Sequence, residues 1–155
     1  MPKSPVLDPM TLPPRRGSGY PEPYRSEVMK REKRAIGDAF GLKNFGVNLV
    51  VLEPGGASSQ RHWHSRQDEL VYVLEGEVVL VTDAGERVMG PGMAAGFPAG
   101  VADGHRLLNR TSKPAKYLEV GDRMPGDEAD YPDIDLRAAH AAGGYAFTRK
   151  DGTPY

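Results

Sequence analysis

Three side chains of the kind that bind metal ions lie close together in the sequence: His62, His64 and Glu69. Alternate side chains of a β-strand project from the same face, so His62 and His64 should point in one direction. The apolar run at 70–74 predicts a second strand, with Glu69 at its entrance. If the two strands pair across a turn at 65–68, all three side chains converge. Imidazole nitrogens and a carboxylate oxygen then form a good site for a divalent transition metal.

The elements that would position these residues are short strands. At 155 residues the chain has the length of one domain, and its 19 glycines and 14 prolines are scattered among short apolar runs. This distribution favours an all-β fold with many tight turns, either a small sandwich or a barrel. The apolar runs predict strands at 46–53, 62–64, 70–74, 76–81, 87–89, 93–97, 105–109 and 116–120.

Different patterns flank this series of strands. Residues 1–24 contain seven prolines and predict an extended arm, which precedes a barrel at 25–121. Residues 122–155 lose the strand pattern and are expected to form an irregular C-terminal extension that packs on the barrel. Within this extension the sequence predicts one or two helical turns at 136–142 and a strand at 145–147.

The beginning of the barrel segment is ambiguous. Apolar residues between positions 28 and 40 have a weak helical periodicity, but Gly37 and Gly41 interrupt it. The charged run at 30–34 is most simply explained as a solvated face. A phosphate-binding role for this run is the less favoured interpretation.

Composition excludes several classes of function. The net charge of −1 gives no basic surface for nucleic acid or for an anionic membrane. The absence of cysteine excludes disulfides, thiolate zinc sites and thiol catalysis, and it fits a reducing cytosol. No window approaches the length of a membrane span, and the first residues lack an apolar core of signal-peptide length. We therefore expect a cytoplasmic protein that binds neither nucleic acid nor membranes.

Two segments of the chain resemble the two motifs of the cupin family. The first motif is a glycine, five residues, His-x-His, three or four residues, a glutamate, six residues and a glycine. It is matched by Gly56, His62, His64, Glu69 and Gly76. The second motif is a glycine, five residues, Pro-x-Gly, two residues, a histidine, three residues and an asparagine. It is matched by Gly92, Pro98, Gly100, His105 and Asn109. Two departures occur: four residues separate Gly100 from His105, and Met93 stands where an aspartate often follows the first glycine.

This resemblance implies a jelly-roll β-barrel, also called a double-stranded β-helix, that binds one metal ion in its interior. The ligands would be His62, His64, Glu69 and His105. The ion could be Fe, Mn, Ni, Zn or Cu, since all of these accept imidazole and carboxylate ligands. Four protein ligands leave one or two positions open for water, dioxygen or a chelating substrate. The fourth histidine, His140, has no role in the pattern and is expected at the surface.

Strand parity predicts which other side chains face the metal. If Glu69 points inward, Val71 and Val73 should also point inward and Tyr72 should point outward. The pocket wall is therefore expected to be largely apolar. Trp63 lies between the two histidine ligands and should point away from the metal, toward a second sheet or a partner subunit.

Four polar residues are candidates for binding a substrate: Asn109, Arg61, Arg106 and Tyr117. Asn109 shares the parity of His105 and could be a pocket donor or, equally, could stabilise a turn. The two arginines flank ligands in sequence and could bind a carboxylate or phosphate at the mouth, although such arginines more often form surface salt bridges. Tyr117 and Glu119 belong to a strand that should pass near the site.

The resemblance implies a metal-binding protein, and two functions fit it. The first is a metal-dependent enzyme that acts on a small, oxygen-rich molecule, either as a dioxygenase or as a sugar or sugar-phosphate isomerase. The sequence offers no strong general base beyond the metal ligands and no clustered phosphate site, which weakens the isomerase version. The second is a non-catalytic module that binds or senses a small ligand. The resemblance also implies a homodimer.

Overall fold

Strands predominate in the computed structural model, which describes residues 4–155; the first three residues of the predicted arm lie outside this range. The described helices are two 3-10 turns, Pro9–Thr11 and Ser26–Val28, and α1, Ile36–Ala39. None of the described helices has the length and apolar character that crossing a membrane requires. The strands are β1 Arg15–Arg16, β2 Arg31–Ala35, β3 Phe45–Leu52, β4 Trp63–His64, β5 Glu69–Glu75, β6 Val78–Thr82, β7 Gly85–Met89, β8 Ala94–Phe97, β9 Arg106–Leu108, β10 Ala115–Asp122, β11 Glu128–Tyr131, β12 Leu136–Ala141 and β13 Gly144–Thr148.

These strands form two antiparallel layers, which confirms the all-β prediction. One layer is a six-stranded sheet in the order β1-β2-β3-β10-β5-β8. The other layer consists of the sheets β7-β6-β9 and β13-β12-β11-β4, and an isolated bridge between His62 and His105 joins them. Strands far apart in sequence are neighbours in one sheet, as with β3 and β10. Such long connections between paired strands are typical of a jelly roll.

An apolar core lies between the two layers. Its buried members are Val50, Leu52, Val71, Val73, Val78, Met89, Leu107, Ala115 and Tyr117. The predicted alternation along β5 is confirmed, because Val71 and Val73 are buried and Tyr72 is exposed. Since side chains alternate with a period of two, a slip of one residue would move both valines into solvent. Burial of this face therefore determines the register that also points Glu69 inward.

A second cluster ties the N-terminal arm to the C-terminal strands. Its members are Tyr20, Val28, Ala129, Tyr131, Leu136 and Ala138. The arm is anchored further by β1, which pairs with β2. The arm and the strands after position 127 therefore pack against each other on one flank of the barrel.

The structure corrects the sequence interpretation of two segments, and the first is the C-terminal extension, which is not irregular because it contains β11, β12 and β13. Residues 136–142 are not helical, because they contain β12, which pairs with β11 on one side and β13 on the other. The weak helical pattern at 28–40 is divided among a 3-10 turn, β2 and α1. Nor is the charged run at 30–34 a solvated face, because Arg31 and Arg34 are each only 8% exposed. In both segments the strand pairing across the sheet outweighs a weak local preference.

The predicted pairing of the two ligand-bearing strands is also wrong. β4 pairs with β11, whereas β5 pairs with β10 and β8, so the two strands lie in opposite layers. The turn at 65–68 therefore crosses between layers instead of closing a hairpin. Asp127 holds this crossing by accepting hydrogen bonds from the backbone N–H of Arg66 at 2.9 Å and of Gln67 at 3.0 Å. Side chains from β4 and β5 consequently meet across the barrel interior.

Candidate metal centre

A short antiparallel bridge brings the histidines together. The N–H of His62 donates to the carbonyl of His105 at 3.2 Å, and the N–H of His105 donates back at 2.9 Å. The two rings consequently lie side by side, with centroids 4.8 Å apart. His64 lies two residues further along on the same face, and its ring centroid is 5.0 Å from that of His62. Glu69 comes from the opposite layer, as the first residue of β5.

The three histidines approach Glu69 from one layer, and three of the four side chains form a close group. Ligand atoms of His62, Glu69 and His105 all lie within 4.8 Å of one another. Glu69 Oε2 is 2.9 Å from Nε2 of His105 and 3.7 Å from Nε2 of His62. Nε2 of His64 lies 3.5 Å from Glu69 Oε1. The sequence-predicted set is therefore assembled, with the Nε2 atom of each imidazole directed at one carboxylate.

The two additional residues before His105 are absorbed in a turn outside the centre. Within that turn the N–H of Asp103 donates to the carbonyl of Val101 at 2.8 Å. An insertion of even length preserves strand parity, so His105 still faces inward. Gly104 then passes close to the C-terminal segment: a Cβ at this position would lie 3.0 Å from Pro132 Cγ.

Neighbouring residues orient two of the imidazoles. His64 Nδ1 lies 2.6 Å from Asp127 Oδ2, and Asp127 is only 2% exposed. Tyr145 donates its hydroxyl to the same carboxylate oxygen at 2.9 Å. His62 Nδ1 lies 2.9 Å from the carbonyl of Gln60, to which it can donate. Both contacts place a proton on Nδ1 and leave Nε2 free to bind a metal, which is the usual arrangement around histidine ligands.

The remaining histidine is held by aromatic packing. The ring of His105 stacks on that of Phe97, with centroids 3.5 Å apart and planes at 4°. Its Nδ1 is buried and has no hydrogen-bond partner within residues 4–155. Tyr131 stacks on His62 in a similar way, at 5.5 Å between centroids.

The donor set fits a divalent metal ion. Glu69 Oε2 is buried and has no well-aligned hydrogen bond to any residue that the structure describes, although two imidazole nitrogens approach it. Ligand nitrogen and oxygen atoms thus point at a shared space, which is the convergence that a metal ion requires. Three imidazoles and one carboxylate suit the transition metals from Mn to Zn.

Protonation states support the same interpretation. Burial lowers the pKa of His62 to about 4, so its imidazole is neutral at neutral pH. Burial also disfavours the charged form of His64, but Glu69 and Asp127 outweigh it and raise the pKa of that histidine to about 9. Burial opposes ionisation of Glu69, yet the imidazoles of His105 and His64 hold the pKa of its carboxyl well below the usual range. A metal ion binding here would displace the His64 proton, as metals do at histidine sites.

The centre opens into a cavity of about 790 Å³, within the size range of small-molecule sites. The expectation of a largely apolar wall is wrong for one side of it. The inward positions of β2, β3 and β10 there are polar: Arg31, Lys33, Asn48 and Glu119. None of the four lies in either motif. Glu119 was considered from sequence only because its strand should pass near the site, and the other three were not predicted.

Glu119 is the centre of this polar wall. Its Oε1 lies 2.9 Å from Lys33 Nζ and accepts a hydrogen bond from Asn48 Nδ2 at 3.2 Å. Burial alone would raise the pKa of Glu119, but Lys33 and Arg31 outweigh burial and lower it to about 2. The carboxylate is therefore ionised throughout the neutral range.

Of the four predicted substrate residues, the structure places one on the cavity. Tyr117 lines it and is 1% exposed. Asn109 instead donates from Nδ2 to the carbonyls of Leu52 and Lys113, each at 2.8 Å, which stabilises a turn. Within residues 4–155 Arg61 and Arg106 do not line the cavity either. Arg61 forms a bidentate pair with Asp133, with both distances 2.8 Å, and Arg106 lies 3.9 Å from Glu27.

The remaining residues singled out from sequence have simple placements. Trp63 is partly buried beside a small cavity of about 70 Å³, where Phe97 and Val101 are its neighbours. His140 is exposed, as expected, but it also lines the large cavity, where it packs edge-to-face on Tyr145 with centroids 5.5 Å apart.

Comparison with known proteins agrees with this geometry. Residues 48–121 match the cupin domain family. A cupin-superfamily sugar phosphate isomerase from Silicibacter pomeroyi DSS-3 is 50% identical over 97% of this chain and 96% of that chain, with a TM-score of 0.93. A protein from Acidithiobacillus ferrooxidans ATCC 23270, provisionally described as a sugar phosphate isomerase, is 30% identical over 84% of this chain and 82% of that chain, with a TM-score of 0.74.

A more distant structure shares the fold alone. The polyketide cyclase RemF from Streptomyces resistomycificus is 22% identical over 76% of this chain and 78% of that chain, with a TM-score of 0.63. No curated protein matches the chain. The extent of the match to the Silicibacter pomeroyi protein shows that the chain belongs to the cupin superfamily.

Proposed function

We propose that the protein is a metal-dependent enzyme that acts on a small, oxygen-rich molecule, and that its reaction is the isomerisation of a sugar or sugar phosphate. The observation that carries this proposal is the convergence of imidazoles and a carboxylate at a cavity of about 790 Å³ with a polar wall. The two relatives at 50% and 30% identity that are described as sugar phosphate isomerases support the reaction type.

In this proposal His62, His64, Glu69 and His105 hold one divalent ion, which is Fe, Mn, Ni, Zn or Cu. When bound, the ion supplies a Lewis acid that polarises a carbonyl or hydroxyl oxygen. Asp127 fixes the orientation of the His64 ring, and the stacked ring of Phe97 does the same for His105.

The polar wall supplies contacts of the kind that a hydroxyl-rich molecule needs. Lys33 and Arg31 offer donors, and Glu119 offers an ionised acceptor. Burial raises the pKa of Tyr117, so its hydroxyl stays protonated and can donate. Because the pKa of Glu119 is only about 2, this carboxylate is a weak base. We therefore assign it to hydrogen bonding and charge balance, not to proton abstraction.

Two alternatives each have an observation in their favour. A dioxygenase fits the donor set, because three histidines and one glutamate suit Fe(II) with positions left open. A non-catalytic module that binds or senses a small ligand fits the weak basicity of Glu119. Oxygen consumption by the iron-loaded protein identifies the dioxygenase. Ligand binding without turnover identifies the module.

Two experiments test the proposal. The first is elemental analysis of protein purified without chelators, compared with His62→Ala and Glu69→Ala and with the exposed His140→Ala as a matched control. Wild type and His140→Ala should carry about one metal ion per chain and the other two variants almost none; equal content in all four overturns the metal site. The second incubates metal-loaded protein with a panel of aldose and ketose phosphates, where interconversion supports the isomerase and its absence contradicts it.

We also propose that the protein is a homodimer. Leu70, Tyr72 and Leu74 on the outer face of β5 are 43%, 40% and 40% exposed, and a second copy would cover this apolar row. Size-exclusion chromatography with light scattering tests the proposal, and a monomer at all concentrations would exclude it. The cytoplasmic location stays a prediction, which cell fractionation can check.

A further inference from the structure

One buried cation on the cavity wall has no acceptor. Arg31 is 8% exposed, and its buried Nε has no hydrogen-bond partner within residues 4–155. The nearest acidic oxygen, Glu119 Oε2, lies 3.9 Å from Nη2, which is too long for a hydrogen bond. A guanidinium has five N–H donors, and buried donors without acceptors cost free energy. The cavity is therefore the direction from which acceptors must come.

Neighbouring groups hold this arginine only at ion-pair distance and do not hydrogen-bond its Nε. Glu119 Oε1 is occupied by Lys33 and Asn48, at 2.9 and 3.2 Å. Two cations, Arg31 and Lys33, then face one carboxylate, which leaves one net positive charge at this wall. The hydroxyl of Tyr117 is also buried without a hydrogen bond among the described residues. Donors thus outnumber acceptors here.

Arg34 shows what a structural arginine on the same strand looks like. It is also 8% exposed, but it has the opposite strand parity to Arg31 and does not line the cavity among the described residues. Its Nε is also buried without a hydrogen-bond partner among the described residues, but its Nη1 donates to Glu32 Oε2 at 3.2 Å, where Arg31 has only the 3.9 Å contact with Glu119. Burial alone therefore does not explain why Arg31 lacks an acceptor.

Water in the cavity can satisfy the Arg31 donors until a ligand displaces it, and such a ligand must then offer acceptors of its own. The best acceptor for a guanidinium is a carboxylate or phosphate, which can accept two parallel hydrogen bonds. We propose that Arg31, with Lys33 beside it, is an anion-binding subsite for a carboxylate or phosphate group of the cavity's ligand. That the same ligand also faces the metal centre rests on the proposed function.

Anion titration of metal-free protein tests this subsite. Chelator-treated wild type, Arg31→Gln, Arg31→Lys and the matched control Arg34→Gln are titrated with inorganic phosphate and with glycolate, and ethylene glycol serves as an uncharged control. The readouts are the side-chain N–H signals of arginine in NMR spectra and the heat of binding. Thermal unfolding of each variant verifies that it is folded.

We expect at least one of the two anions to bind wild type and to shift the Arg31 Nε–H signal, while ethylene glycol does neither. Arg31→Gln should weaken anion binding by about tenfold or more, Arg31→Lys should be intermediate, and Arg34→Gln should stay within about twofold of wild type. Tighter binding of phosphate would indicate phosphorylated ligands, and tighter binding of glycolate would indicate carboxylic acids. Should Arg31→Gln not fold, Arg31→Lys carries the comparison.

Three results overturn the subsite: unchanged affinity in Arg31→Gln or in its substitute Arg31→Lys, an equal loss in Arg34→Gln, or no anion binding by wild type. The titration involves neither metal nor turnover, so its outcome is separate from that of the proposed enzyme. If Arg31→Gln alone loses the anion while metal-loaded wild type converts no substrate, the subsite stands and the enzymatic proposal falls.

Discussion

The two sides of the cavity satisfy their polar groups in opposite ways. At the metal side the protein holds Nδ1 of His64 and of His62 and directs the Nε2 atom of each ring at Glu69. At the polar wall it binds the carboxylate of Glu119 and leaves Arg31 with an unpaired Nε and only a 3.9 Å contact to that carboxylate. Imidazole nitrogens gathered around a carboxylate favour a cation, and donors without acceptors favour an anion. The unsatisfied atoms of each side therefore indicate the charge of its expected occupant.

The two sides also differ in how the chain assembles them. Three of the four candidate ligands come from eight consecutive positions, 62–69, and His105 joins them through one bridge. The polar wall takes its residues from β2, β3 and β10, of which β10 lies far along the sequence from the other two. The first side is therefore visible as a motif, whereas the second becomes visible only once strand order is known.

The largest expected effect is at the metal side. Glu69→Gln should lower affinity for Mn(II) or Zn(II) by at least about 100-fold, because it removes the charge on which the imidazole nitrogens converge. Glu119→Gln is the matched control, since it neutralises a carboxylate of the same cavity and should change metal affinity by less than about threefold. Competition with a chromogenic chelator measures both. A similar loss of metal affinity in the two variants would mean that the metal side and the polar wall do not act independently.

A smaller loss is expected when only the orientation of a ligand changes. Asp127→Asn should weaken metal binding by about 10- to 100-fold, because the amide no longer fixes the proton of His64 on Nδ1. The amide oxygen can still accept from the backbone at 66 and 67, so the turn should persist and thermal unfolding should change little. Full affinity in this variant would show that Asp127 serves the turn alone.

At the polar wall the expected effect is on stability and depends on pH. The pKa of Glu119 is lowered to about 2 in the folded protein, below its value in the unfolded chain. A carboxyl with a lowered folded pKa stabilises the protein above its unfolded pKa, near 4.3, and loses this contribution as pH falls through about 2. Glu119→Gln should therefore reduce the free energy of unfolding by about 2 kcal/mol at neutral pH.

Urea unfolding of wild type and Glu119→Gln from about pH 7 to about pH 3 checks this sign. The difference between the two proteins should be constant down to about pH 5 and then shrink. A difference that is independent of pH would show that the charge of Glu119 does not stabilise the wall.

The smallest effect belongs to a residue that lies on neither side. Asn109→Ala should lower the free energy of unfolding by about 1 kcal/mol, because its side chain bonds the carbonyls of Leu52 and Lys113 in a buried turn. Metal affinity and anion binding should both equal those of wild type. A change in either affinity would show that Asn109 contributes to the binding pocket after all.

Much of the fold could be predicted because period-two burial is a local signal. The alternation around Val71 and Val73 and the strands at 76–81 and 87–89 were predicted from sequence, and they are present as β5, β6 and β7. The helix predicted at 136–142 is instead β12, because pairing with β11 and β13 outweighs a short run of alanines. The expected hairpin between β4 and β5 is a crossing between layers, which a turn of four residues does not reveal.

The candidate site also has one part that the sequence predicted and another that it did not. Sequence spacing predicted the four residues that converge, because strand parity fixes the side to which His62 and His64 point. It predicted neither the carboxylate of Asp127 on His64 nor the stacking of Tyr131 on His62. Both come from the C-terminal segment, which contains no motif and reaches the centre only through the pairing of β11 with β4.

The sequence by itself therefore determined the metal-binding pattern and the all-β class, since both depend on residues a few positions apart. Only the tertiary structure decided which other residues line the cavity. Arg31 belongs to a run of charges that by sequence alone is most simply solvated. The pairing of β2 with β3 turns its side chain into the barrel, where Glu119 is already engaged by Lys33. The lack of a hydrogen-bond partner for Arg31 Nε is a property of that assembled wall, because it depends on where β10, distant in sequence from β2 and β3, places Glu119.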